Sequence, residues 1–183
     1  MEFEKTDFPG LIVVSPQVFA DTRGFFMETY HRKKFVQGGI DVDFVQDNHS
    51  RSLRGTLRGL HFQDPHPQGK LVRVIVGEVW DVAVDLRPDS PTFGKWFSLT
   101  LSAENKAVLY IPPGFAHGFC VTSEVAEFMY SCTEFYAPEC EGGIRWDDPD
   151  LAIPWPVKNP TLSAKDKKYQ SWAEYKRRIT GCA

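Results

Sequence analysis

The sequence predicts an all-β fold of the jelly-roll type, a β-sandwich or barrel with a few short helices, one of them near the C-terminus. Three observations carry that expectation. Fourteen Phe, six Tyr and five Trp in 183 residues favour strands over a helical bundle, because aromatic rings pack well on a pleated surface. Thirteen Pro and fourteen Gly supply the turns that many short strands need. From Phe8 to about Phe135 the chain reads as short apolar runs broken by turn residues.

Taken in order, ETYHRKKFVQGG (28–39) predicts a short helix ended by Gly38-Gly39. LVRVIVGEVWDVAVDL (71–86) is the clearest strand signal. Val72, Val74 and Val76 share one face, Gly77-Glu78 interrupts, and Trp80, Val82, Val84 and Leu86 resume the alternation. Two strands around a tight turn are expected there. FGKWFSLTL (93–101), AVLYIP (107–112), GFCVT (118–122) and EFMYSCTEFY (127–136) predict further strands. On the last of these, Phe128, Tyr130, Cys132, Glu134 and Tyr136 would share a face. Beyond Tyr136 proline and glycine mark a loop, and the polar tail from Ser163 suits a helix. Ser163 followed three residues later by Asp166 looks like a capping-box variant opening it. With no repeat, low-complexity tract or linker, residues 1–183 are expected to form one domain.

Composition excludes several functions. A net charge of −3 and a pI near 6.0 argue against a broad nucleic-acid surface. No run approaches membrane-spanning length, and MEFEKTDFPG lacks the features of a secretion signal. Cys120, Cys132, Cys140 and Cys182 include no CxxC pair. A reduced, cytoplasmic protein without membrane or nucleic-acid partners is therefore expected. Phosphate-loop, GxGxxG, GxSxG, HExxH and zinc-ribbon patterns are all missing.

The remaining polar clusters each admit two readings. In DTRGFFME (21–28), Arg23 is a phosphate fork flanked by aromatics or a surface ion-pair partner. In RGLHFQ (58–63), His61 is a general base or a hydrogen-bonded core residue. Alternation puts Arg58 and His61 on opposite faces, so they share a site only if the strand bends, and Gly59 is the place for that. Lys70 has the parity of Val72 and Val74, so it starts core-side and must snorkel out or meet an anion. Tyr130 is a proton donor or a satisfied core tyrosine. PPGFAHGF (112–119) contains a PxGxxH pattern similar to the second motif of the cupins, a family of small jelly-roll barrels. In metal-binding cupins that histidine, here His117, is a ligand. The partner HxH motif is represented by His61-Phe62-Gln63, with glutamine in the place of the second histidine, so no metal and no cofactor are expected.

Six segments, in order and at suitable spacing, resemble the nucleotide-sugar 3,5-epimerases, the dTDP-4-dehydrorhamnose 3,5-epimerase family of rhamnose biosynthesis. They are DTRGFFMETY, RGLHFQ, GKLVRVIVGEVWDVAVDLRPDSPTFG, PPGFAHGF, YAPECEGGIRWDDPDLAIPWP and LSAKD. The resemblance implies a cupin-type barrel and a cofactor-independent isomerase acting on a dTDP-linked 4-keto-6-deoxy sugar, as a homodimer. It implies His61 as base, Asp166 orienting it, Lys70 steadying the enolate and Tyr130 returning a proton from the opposite face. It also implies that Arg23, Glu28, Gln46, Asn48, Arg58, His117, Glu141 and Lys165 line the nucleotide-sugar pocket, with Tyr136 stacking on base or sugar. The N-terminal segment is expected to extend the neighbouring subunit's sheet. The rivals are an epimerase of C3 or C5 alone, a metal-dependent cupin oxygenase using His61 and His117, and a non-catalytic sugar-binding module.

Overall fold

A computed structural model describes residues 1–181, and Cys182 lies outside them. Two antiparallel sheets enclose the core. One has six strands in the order β1 (Glu2–Lys5), β2 (Ile12–Ser15), β10 (Val108–Ile111), β7 (Lys70–Val76), β12 (Val125–Cys132) and β5 (Gln46–Leu53). The other has five, in the order β13 (Glu141–Gly143), β6 (Leu57–Gln63), β11 (Phe115–Val121), β8 (Glu78–Asp85) and β9 (Trp96–Ser102). A separate ribbon pairs β3 (Val18–Asp21) with β4 (Gly24–Met27). This is the cupin-type jelly roll.

Alternation fills three layers. Between the sheets, Val72, Val74 and Phe128 meet Val79, Ala83, Phe115 and Phe119. Outside the six-stranded sheet, helix α1 (Arg32–Gln37) buries Phe35 against Ile12, Val14 and Tyr110. Burying one such ring stabilises the fold by about 2 kcal/mol. Outside the five-stranded sheet, helix α2 (Trp172–Thr180) seats Trp172 and Tyr175 on Val82, Val84 and Leu60. The even-numbered residues Trp80, Val82, Val84 and Leu86 thus face this outer layer, while Val79 and Ala83 face inward.

The two strands expected in 71–86 form as β7 and β8, in different sheets, because the chain passes from one sheet to the other at Gly77. A Cβ there would lie 1.9 Å from the Val125 carbonyl oxygen, and φ is +74°. Two expectations need correction, the extent of the strand predicted over 127–136 and the helix cap at Ser163. Strand β12 ends at Cys132, where its neighbours also end, with Gln46 and Lys70 as its last partners. Glu134 and Tyr136 therefore lie in the following loop. Ser163 Oγ does accept the Asp166 amide at 3.0 Å, but this closes only a 3-10 turn, Asp166–Lys168. The helix opens later, on a reciprocal cap between Ser171 and Glu174. Strand β1 pairs with β2 of its own chain and forms the edge of the six-stranded sheet.

Candidate active site

The bend in β6 creates the site. Gly59 adopts φ +130° and packs so closely on β11 that a Cβ would lie 2.5 Å from Gly118 Cα. The pairing of β6 with β11 shifts register between His117 and Phe119. As a result Arg58 and His61 line one cavity of about 120 Å³, together with Ser50, Lys70, His117 and Tyr130. Phe119 and Phe128, stacked 4.2 Å apart, form its apolar floor.

His61 donates from Nε2 to Asp166 Oδ1 at 2.6 Å. Asp166 is only 3% exposed, so the pair is shielded on the carboxylate side. Burial alone would raise the Asp166 pKa, yet the bonds to His61 and Ser163 hold it below the ordinary value. With Nε2 so engaged, the imidazole lone pair resides on Nδ1. Opposite, burial lowers the pKa of Lys70 and raises that of Tyr130. His117 is buried and donates from Nε2 to Asp81 Oδ2 at 2.8 Å. Burial lowers its pKa despite Asp81, which favours the neutral ring. Asp81 Oδ1 accepts no hydrogen bond.

Beside His61 sits a second polar cluster on β13, which pairs Gly143 with His61 and Glu141 with Gln63. Glu141 accepts from Tyr136 at 2.5 Å, from Tyr169 at 3.0 Å and from Lys165. Burial works against its ionisation, but these bonds hold its carboxyl below the usual range. Gln46 and Asn48 bond each other on β5, where Asn48 lies opposite Tyr130. Gln46 Oε1 also accepts the Tyr136 amide at 2.8 Å, tying the loop to the sheet. Arg58 donates to Ser52 at 3.0 Å.

Two of the candidate residues lie elsewhere. Arg23 sits at the turn of the β3–β4 ribbon, 88% exposed and paired with Asp21. Glu28 follows that ribbon and pairs with Lys34 at 2.7 Å. Neither lines the cavity within this chain. Conversely, sequence reasoning missed Asp81, Ser50 and Tyr169. Asp81 had a signal, since it is a charged residue with the inward parity of Val79 and Ala83. Tyr169 had none, because its contacts depend on tertiary structure alone.

The donor set does not fit a metal ion. Both histidines bond a carboxylate through Nε2, so only Nδ1 of each is free to ligate, two donors in all. Gln63, in the position of a third ligand, directs its amide to the His66 and Phe135 carbonyls and the Ala137 amide. Among the described residues no group of three His, Cys, Asp or Glu is arranged around a common point. The ammonium of Lys70 lines the same space and would repel a dication.

A jelly roll whose cavity holds a carboxylate-bonded imidazole, an ammonium and a phenol defines a cupin-type barrel with the groups that proton transfer on a small polar ligand needs. Comparison with known proteins sharpens that class. The family model described as dTDP-4-dehydrorhamnose 3,5-epimerase matches residues 5–174, and this chain belongs to that family. The enzyme of that name from Shigella flexneri is 55% identical over 176 residues, 95% of this chain and 97% of the relative. Its Pseudomonas aeruginosa counterpart is 54% identical over 176 residues, with the same coverage of 95% and 97%. The crystal structure of the 3,5-epimerase from Legionella pneumophila in complex with dTDP-4-keto-L-rhamnose is 48% identical. It superimposes with a TM-score of 0.90 over 95% of this chain and 96% of that one.

Proposed function

We propose that this chain inverts C3 and C5 of dTDP-4-dehydro-6-deoxy-D-glucose to give dTDP-4-dehydro-L-rhamnose. Family membership supports the reaction. The observation that carries the mechanism is the 2.6 Å His61–Asp166 pair facing Lys70 and Tyr130 across one cavity.

A proton next to a ketone is weakly acidic, so its removal needs a base and charge stabilisation at the ketone oxygen. His61 takes the proton at Nδ1, and Asp166 fixes its tautomer and steadies the imidazolium that forms. Lys70 meets the enolate oxygen. Its burial leaves the ammonium little water, which strengthens that contact. Tyr130 keeps its proton at neutral pH and returns it from the opposite face of the ring. The same ketone activates C5 and C3, so one pocket serves both inversions.

The cavity suits a sugar ring, and the nucleotide must extend past its mouth. Arg58 and His117 line it, and in this reading Gln46, Asn48, Tyr136, Glu141 and Lys165, on β5, β13 and neighbouring loops, serve as further binding groups. Arg23 and Glu28 join them only if a second copy of the chain presents its ribbon. On that ribbon Phe19, Phe25 and Phe26 are 55%, 59% and 70% exposed, an apolar patch of the kind that marks a protein–protein contact. A homodimer, working in the cytoplasm, follows from this reading. Replacing Phe26 with Asp is expected to convert dimer to monomer in sedimentation velocity and to raise KM; a dimer unchanged by F26D would remove the ribbon from the interface.

The reaction is tested by incubating chelator-treated protein with dTDP-4-dehydro-6-deoxy-D-glucose and identifying the product by NMR. Inversion at both carbons is expected. Inversion at one carbon would place the chain among mono-epimerases, and no turnover by folded protein would overturn the proposal.

A further inference from the structure

Tyr169 follows the 3-10 turn that carries Asp166 and precedes helix α2. Its ring packs edge-on against the His61 imidazole, with centroids 5.6 Å apart and planes at 69°. The same ring lies over Gly143, where a Cβ would come within 2.5 Å of it. Gly143 in turn is the register partner of His61. The Tyr169 hydroxyl donates to Glu141 Oε1 at 3.0 Å, at the other end of β13. One side chain therefore touches the imidazole, the strand beside it and the carboxylate cluster at the rim.

Burial pushes the Tyr169 phenol well above its usual pKa, with the Glu141 carboxylate adding to the effect, so the hydroxyl stays a donor. The next residue fixes the backbone as well: Gln170 bridges to Ile144, and its carbonyl accepts the Arg145 amide at 2.9 Å. Tyr169 is thus held at both its backbone and its hydroxyl. A planar ring fixed in this way limits rotation of the neighbouring imidazole and keeps water from the Nε2–Oδ1 bond.

From this geometry we infer that Tyr169 is a positioning residue for the reaction, bracing His61 in its bond to Asp166 while its hydroxyl anchors to Glu141. The inference rests on His61 being the base. It adds a residue that touches no reacting atom and acts through the imidazole.

Two variants test it, with kcat, KM and the downfield proton resonance of the His61–Asp166 bond as readouts. Tyr169→Leu keeps apolar bulk over Gly143 but removes the ring edge and the hydroxyl. It is expected to lower kcat by about 10²-fold, the scale of an angstrom-sized misplacement. KM should stay near wild type, and the downfield resonance should broaden through exchange with water. Tyr169→Phe keeps the ring and loses the anchor; kcat should fall several-fold, with faster exchange of the same proton. Wild-type kcat in both folded variants, or lost kcat with an unchanged resonance, overturns the role. Should Tyr169→Leu fail to fold, Tyr169→Phe decides alone: wild-type kcat and an unchanged resonance refute the bracing. If His61→Ala retains activity, it is the identity of the base that fails, and the resonance in the Tyr169 variants still reports whether the ring protects the bond.

Discussion

His61 is useful as a base only because its surroundings settle which nitrogen is free. Asp166 accepts from Nε2 at 2.6 Å, and that carboxylate is nearly inaccessible to water. Replacing His61 with Ala is expected to cost about 10²–10⁴-fold in turnover, the range that positioned acid–base groups supply. Asp166→Asn should approach that loss with little change in KM, because an amide can present a donor to Nε2 and reverse the tautomer. Tyr130→Phe should behave differently, impairing net inversion more than proton exchange. Equal loss of both would reduce Tyr130 to a packing residue. At this scale the sequence was informative where motif and chemistry coincide: His61, Lys70 and Tyr130 stand on one cavity. Arg23 and Glu28 show the limit, since they lie on a ribbon whose surroundings within one chain do not include that cavity.

Elements were legible wherever alternation and turn residues agreed, as in β7 through β10. They were misread where periodicity continued without a partner. The run Cys132-Thr133-Glu134-Phe135-Tyr136 keeps period two, yet both neighbouring strands stop opposite Cys132, so no ladder remains for it to join. The tail reads as one helix because a capping pair at Ser163 and Asp166 is locally sound. Gln170, bridged to Ile144, interrupts it before Ser171 opens the true helix. Ser171→Ala should therefore destabilise the protein by about 1 kcal/mol in denaturant unfolding, as loss of an N-cap does. Gly77→Ala should be worse, about 2–4 kcal/mol, because it adds a left-handed backbone penalty to a clash with the Val125 carbonyl. A Gly77→Ala protein as stable as wild type would show that the passage between sheets has room to relax.

Across the whole molecule, buried ionisable groups couple the site to stability. His117 is held neutral in the folded state, below its ordinary pKa of 6.5, while in the unfolded chain it takes up a proton near that value. The unfolded state then binds more protons as pH falls below 6.5, so stability is lost from there down to the folded pKa. The slope is at most about 1.4 kcal/mol per pH unit. Asp166 and Glu141, both depressed in the fold, add losses in a more acidic window, below 3.8 and 4.5. His117→Gln should flatten the first window and leave the second, as read by thermal unfolding across pH. The jelly roll thus places two His–carboxylate pairs on one cavity, one partly open to the ligand space and one enclosed.

Deuterium incorporation separates these roles with the least ambiguity. Wild-type and His61→Ala protein would each be incubated with dTDP-4-dehydro-6-deoxy-D-glucose in deuterated water and followed by proton NMR. Wild type should place deuterium at both C3 and C5, and His61→Ala at neither. Exchange persisting at the wild-type rate in His61→Ala, or absent at both carbons in folded wild type, would refute proton transfer by the His61–Asp166 pair.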